Sequence, residues 1–235
     1  MKEIQAFPVA VVAHSWTATK RDQHVSEKAC ALFNASAEAG RFTKLLIDSE
    51  ELRKIRSLDV IFRNRLHEIT LEFVSDLRLL PASLYFRFAE IVNDYKKQRQ
   101  QLVDALLEKY DVYIREAKMR LQDMFCAKDY PSRLDIQRRF RVDVLVLPAP
   151  KPSEIPEAHR VLFQMQEERI KQELIERIQE LEKRIQELKN KDKIREKTKG
   201  NVERDLETLN KLNVTEDQEI KNKIEKLVQV WGGVA

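Results

Sequence analysis

The chain has 235 residues and is 43% hydrophobic, but 35% are charged and only four are glycine. A charged share well above the usual ~25% with so little Gly fits long, solvent-flanked helices and argues against a loop-rich enzyme or a β-sandwich. The net charge of +4 is mild and mixed, and two distant cysteines form neither a disulfide framework nor a zinc spacing, so a reducing, cytoplasmic setting is expected.

From the N-terminus, Phe7–Ala13 is short, apolar and interrupted by Pro8, which reads as a strand over Val9–Ala13 rather than a signal peptide. No window approaches the ~20 apolar residues of a membrane span. Val25, Ala29, Leu32 and Phe33 mark a helix from about Ser26 to Gly40, with Gly40 as a left-handed cap. Asp48, with Glu51 three residues on, opens the next helix as a capping box. Heptad-spaced Ile55, Phe62 and Ile69, with Asp59, Leu66, Phe73 and Leu80 beside them, extend its seam from Leu52 to Leu80; Asp59 is the visible defect. Pro81 ends it. Ala82 to Cys126 lacks Gly and Pro and predicts one long helix, returning antiparallel as an αα-hairpin.

Asp129-Tyr130-Pro131-Ser132 predicts a loop, with Ser132 capping a helical turn over Asp135–Arg139. Phe140, Val142, Val144 and Val146 alternate with their neighbours, a period-two strand expected to pair with Val9–Ala13. Four of the seven prolines lie within Leu147–Pro156, a stiff connector. Beyond it, Glu157–Lys197 reads as one helix carrying two nearly identical heptads, RIQELEK and RIQELKN. Its seam is Leu174, Ile178, Leu181, Ile185 and Leu188, flanked by Glu-before-Arg/Lys pairs one turn apart. Lys199-Gly200-Asn201 predicts the turn, Val202, Leu206 and Leu209 the return, and Thr215 with Gln218 a second capping box before Ile220, Ile224, Leu227 and Trp231. The seam closes either as an antiparallel hairpin within the chain or as a parallel homodimer.

The expected fold is therefore mainly α: elongated helical hairpins and coiled coil with a small two-stranded β element. Residues 1–147 form a helical body, 148–156 the connector and 157–235 a coiled-coil hairpin.

None of His14, His24, His67 and His159 stands at a metal-ligand spacing from another His or Cys, and neither Cys30 nor Cys126 has the local signature of a nucleophile. No phosphate-loop, dinucleotide or nucleophile-elbow motif occurs, so no catalytic residue and no cofactor is expected. Two basic clusters stand out. One holds Arg133, Arg138, Arg139 and Arg141; the other, Lys189 to Lys199, holds Lys193, Arg195, Lys197 and Lys199 at the proposed hairpin tip. Either suits phosphate contact, or is an ordinary solvated helix end. Trp231 before Gly232-Gly233 suits docking onto a partner or stapling of the hairpin.

The segment Met124–Pro150, MFCAKDYPSRLDIQRRFRVDVLVLPAP, resembles part of a domain-of-unknown-function family found in bacterial and phage genomes. The shared elements are Asp129-Tyr130-Pro131-Ser132, a short helix, Phe140-Arg141-Val142 and Pro148-Ala149-Pro150, with Leu79-Leu80-Pro81 before a long helix also similar. The resemblance spans about residues 15–155 and leaves the C-terminal heptads unmatched. It implies association with phages or mobile elements and supplies no catalytic residues. Some members are encoded near MoxR-like AAA+ ATPases, so such a partner follows by analogy alone. The expected function is a non-enzymatic interaction or assembly protein acting on a protein partner or on itself; the alternative is a nucleic-acid-associated protein using 133–141 or 189–199.

Overall fold

The computed structural model describes residues 5–148, 160–189 and 194–233. These residues are mainly α-helical, with a small antiparallel β component. None of their helices is long and apolar enough to cross a membrane.

Strand β1 (Ala6–Ala13) pairs antiparallel with β5 (Leu77–Pro81), matching Phe7 to Leu80 and Val9 to Arg78. β5 forms a hairpin with β4 (Leu71–Val74) around Ser75, whose φ of 53° supplies the left-handed turn residue. On the other side of β1 lies β6 (Val142–Val146), giving the order β4-β5-β1-β6. β6 thus pairs with β1 as expected, and His14 N–H donating to Arg141 O (2.9 Å) and Leu147 N–H to Pro8 O (2.8 Å) show that the pair runs antiparallel. A separate two-stranded sheet joins β2 (Thr19–Arg21) to β3 (Thr43–Leu45).

Several boundaries differ from the sequence reading. Helix α1 (Gln23–Leu32) stops well before Gly40, because Asn34 takes the left-handed position (φ 53°) and Ala35 N–H closes onto Cys30 O. Gly40 serves by being small: a Cβ there would stand 3.2 Å from the Cys30 sulfur. Helix α2 (Glu50–Ile69) is capped by Ser49, whose Oγ accepts from Leu52 N–H; Asp48 pairs with Arg53 instead. It ends at Thr70, not Leu80. The Thr70 hydroxyl donates back to Leu66 O, its carbonyl is taken by Arg78 and Arg177, and the expected helical continuation is the β4–β5 hairpin. Phe73 and Leu80 read as helical because they continue the seven-residue spacing of Leu66, although they lie on the two strands of the hairpin.

The long helix after Pro81 begins with a 3-10 turn (Ala82–Leu84) and divides into α3 (Tyr85–Glu108) and α4 (Tyr110–Leu121). The break carries no Gly or Pro. It falls where Lys109 reaches Glu51 (2.7 Å) and the Tyr110 hydroxyl reaches Pro131 O (2.9 Å), ties that sequence spacing cannot reveal. Helix α5 (Arg133–Arg139) has Ser132 as its N-cap, as expected. Helices α6 (Arg160–Lys189), α7 (Glu196–Leu212) and α8 (Gln218–Gly232) follow. Gly200 lies inside α7 rather than at a turn, and Asp217, not Thr215, caps α8 through the Glu219 and Ile220 N–H groups. The connector beyond Pro148 and the residues 190–193 lie outside the described residues.

The chain separates into two compact units interleaved along the sequence, whereas the sequence reading divides it consecutively at 148–156. One comprises the described parts of Met1–Val11, Phe62–Val92 and Val144–Ala235; the other comprises Val12–Ile61 and Asn93–Asp143. In the first, α6 packs on α7, α8 and β4. In the second, Trp16, Leu46, Ile47, Ile55, Val103, Leu106, Tyr110, Ile136 and Phe140 make the apolar core, with Trp16 edge-on to Tyr110 at 6.1 Å.

Candidate functional site

In the first unit the heptad seam is enclosed. Leu174, Ile178, Leu181, Ile185 and Leu188 are all buried, as are Val202, Leu206, Leu209 and Leu212 of α7 and Ile220, Ile224, Leu227 and Trp231 of α8. Trp231 thus packs inside this unit. The flanking charges of α6 dock locally. Glu173 accepts from the Glu72 N–H at the edge of β4 (2.8 Å), and Arg177 reaches both Glu173 (2.6 Å) and Thr70 O (2.9 Å). A side chain of α6 therefore caps one end of the sheet.

A groove of about 700 Å³ borders this unit's α2, α6 and α7 segments, lined by His67, Arg87, Arg177, Arg184, Asp205 and Thr208 among others. Two of its guanidiniums are ion-paired within it, Arg184 with Asp205 (2.8 Å) and Arg177 with Glu173, and Arg87 donates to the Thr208 hydroxyl (3.0 Å). Burial, aided by Arg78 and Arg177, pushes the His67 imidazole below its ordinary pKa.

β6 presents the opposite situation. It is the terminal strand of the sheet, and no described strand pairs with its outer edge. Val144, Leu145, Val146 and Leu147 are each at least 36% exposed. Since Leu147 N–H points to β1, the backbone groups of Val144 and Val146 point outward.

In the second unit the structure gathers Arg138, Arg139 and Arg141 from the sequence-predicted cluster around a depression of about 480 Å³, together with His14, Ser15 and Asp135. Buried Ile136 and Phe140 anchor α5, leaving the side chains of Arg138 and Arg139 on its exposed last turn. Arg99, 1% exposed, holds the two backbone walls. Its guanidinium donates to Phe140 O (2.6 Å), His14 O (2.7 Å), Ser15 Oγ (2.7 Å) and Asp59 (3.1 Å), and it lies over the Phe140 ring at 5.4 Å. His14 donates to Asp143 (3.0 Å), and Arg141 does the same (3.0 Å). The Arg141 bond, with His14 adding to it, holds the Asp143 carboxyl below its usual range. Sequence reasoning missed His14; the β1–β6 register, which spacing leaves undetermined, is what brings it there. Arg133, the fourth predicted cation of this cluster, is paired with Asp111 (2.5 Å).

The second basic cluster is less concentrated. Arg195 precedes α7 with its side chain exposed, Lys197 is exposed, Lys199 is half-buried beside Glu196 (3.5 Å), and Lys193 lies outside the described residues.

Each residue of the D-Y-P-S segment is tied to the rest of its unit. Asp129 pairs with Lys20 (2.6 Å) and buried Lys44 (2.7 Å); the Tyr130 hydroxyl donates to Leu46 O; Pro131 O accepts from Tyr110; Ser132 caps α5. Burial alone would raise the Asp129 carboxyl, but the two lysines hold it below its ordinary value. Glu51 is similar: burial opposes its charge, yet hydrogen bonds from Lys109 and Tyr113 bring it down to about 2. Among the described residues no group of three or more His, Cys, Asp or Glu is placed to hold a metal ion.

No family model, curated protein or solved structure matches the chain.

Proposed function

We propose that this chain is a non-enzymatic assembly protein whose partner contact is made by strand addition at the outer edge of β6, the occupant being β6 of a second copy. We read α6, α7 and α8 as an antiparallel coiled-coil unit. Its seam is spent within the chain, so the assembling surface lies elsewhere.

The observation that carries this reading is the asymmetry of the sheet. At β4 a free backbone donor is capped by Glu173. At β6 four consecutive apolar residues are exposed with no charge among them. Soluble proteins usually protect such an edge with Lys, Pro, a bulge or a covering element. Outward-facing N–H and C=O groups are best satisfied by another extended chain. β6 is apolar on both faces from Val144 to Leu147, so an antiparallel copy sets aliphatic against aliphatic on each face in an isologous contact.

Val146→Pro removes one outward N–H and spares the bonds to β1, since proline is tolerated on a strand edge. Light scattering after gel filtration is expected to give a twofold mass for the wild type at high concentration and a monomer for Val146→Pro, with unchanged circular dichroism. A wild type that stays monomeric at every concentration, or a variant that still dimerises, overturns the reading.

A further inference from the structure

We infer that the depression bounded by His14, Ser15, Arg138, Arg139 and Arg141 receives a backbone phosphate of a polynucleotide. This surface belongs to the second unit and is independent of strand addition at β6.

The charge ledger within the cluster points to an outside anion. Arg133 is neutralised by Asp111, and Arg141 shares Asp143 with His14. Asp135, the acidic residue in the lining, keeps its charge while accepting from the Ser132 hydroxyl (2.6 Å), and it makes no ion pair with Arg138 or Arg139, so the lining retains a net positive charge. Arg138 and Arg139 stand exposed on the last turn of α5 with no ion pair among the described residues. Two planar guanidiniums over one concavity match the forked geometry of a phosphate.

The distribution of charge over the chain points the same way. Val12–Ile61 with Asn93–Asp143 contains 20 Lys and Arg against 16 Asp and Glu, an excess of 4. The other unit contains 23 of each, so the whole +4 of the chain falls in the unit that bears the depression. Such an excess favours the approach of a polyanion to this unit.

The form of the depression selects among phosphate carriers. Its rim is solvent-facing and its lining contains no Phe, Tyr or Trp. A small nucleotide would find neither a stacking platform nor the enclosure that small-ligand sites provide. A polymer needs neither, because it gains affinity by releasing counterions along its length. Recognition is accordingly of the backbone and not of base sequence.

The direct experiment is fluorescence anisotropy of the full chain with a labelled mixed-sequence DNA duplex, and separately a labelled single-stranded RNA. Measurements between about 50 and 200 mM salt are expected to show affinity falling about 12-fold on the duplex if two phosphates are neutralised. Arg138→Gln/Arg139→Gln is expected to weaken binding at least tenfold and to make the salt slope shallower by about one per arginine. Arg195→Gln/Lys197→Gln, in the other basic cluster, is expected to bind as the wild type, and so is Val146→Pro. Failure of the wild type to bind either polymer at low salt overturns the inference. So does undiminished binding by Arg138→Gln/Arg139→Gln, or loss of binding in the Arg195→Gln/Lys197→Gln control instead. Tight binding of inorganic phosphate or ATP without binding of either polymer would assign the depression to a small ligand and equally overturn it.

Discussion

Asp59 looks like a flaw in an apolar seam, and its meaning emerges only with Arg99. The guanidinium is buried, yet its donors reach Asp59, two backbone carbonyls and the Ser15 hydroxyl; the Tyr95 hydroxyl adds a 2.7 Å bond to Asp59. A well-satisfied buried cation can be neutral for stability, but removing it strands every partner. Arg99→Met is expected to destabilise the protein by about 3–5 kcal/mol, read by urea unfolding. Arg99→Lys should recover little, because an ammonium lacks the fork that spans both walls. A loss under 1 kcal/mol would show that the guanidinium is not the tie between those segments. At this scale the sequence displayed the anomaly but not its solution, since 40 residues separate the partners.

Elements were legible where one periodicity ruled. The α6 seam repeats at three-four spacing, and all five of its named residues are buried. Ile185, fully enclosed, tests whether that burial arises within the chain. Ile185→Ala is expected to cost about 2–5 kcal/mol in thermal or chemical unfolding while leaving the oligomeric mass unchanged. A change of mass with little loss of stability would mean the stripe faces another molecule. Where a helical spacing runs on by chance, reading fails: Leu66, Phe73 and Leu80 are seven apart, yet only Leu66 is helical, and Thr70 ends the helix through tertiary bonds to Arg78 and Arg177 that spacing does not show. The Lys109 break has the same character, because the partners met there, Glu51 and Pro131, are remote in sequence.

Over the whole molecule, composition disclosed the helical class but not the interleaving of the two units. Helix α2 spans Glu50–Ile69, and its residues divide between them after Ile61. No local signal announces such a division. The second unit also collects carboxyls held below their ordinary values: Asp22 by the Val25 N–H and Lys44, Asp129 by its two lysines against burial, and Glu51 at about 2. A carboxyl depressed on folding contributes stability above its unfolded pKa and loses it as pH falls through the folded value. Stability is therefore expected to hold near neutrality and to decline from about pH 4.5 toward pH 2. Glu51→Gln should cost about 1–2 kcal/mol at pH 7 and almost nothing near pH 2, measured by denaturant titration at each pH. A pH-independent difference would remove the Glu51 ion pair from the account.

The chain contains two tryptophans, Trp16 in one unit and Trp231 in the other, and both are nearly shielded from water. Each unit thus carries its own intrinsic fluorophore. Replacing either indole with phenylalanine leaves an emission signal belonging to a single unit, so melting curves of the two variants report whether the halves of this interleaved chain come apart together or in sequence.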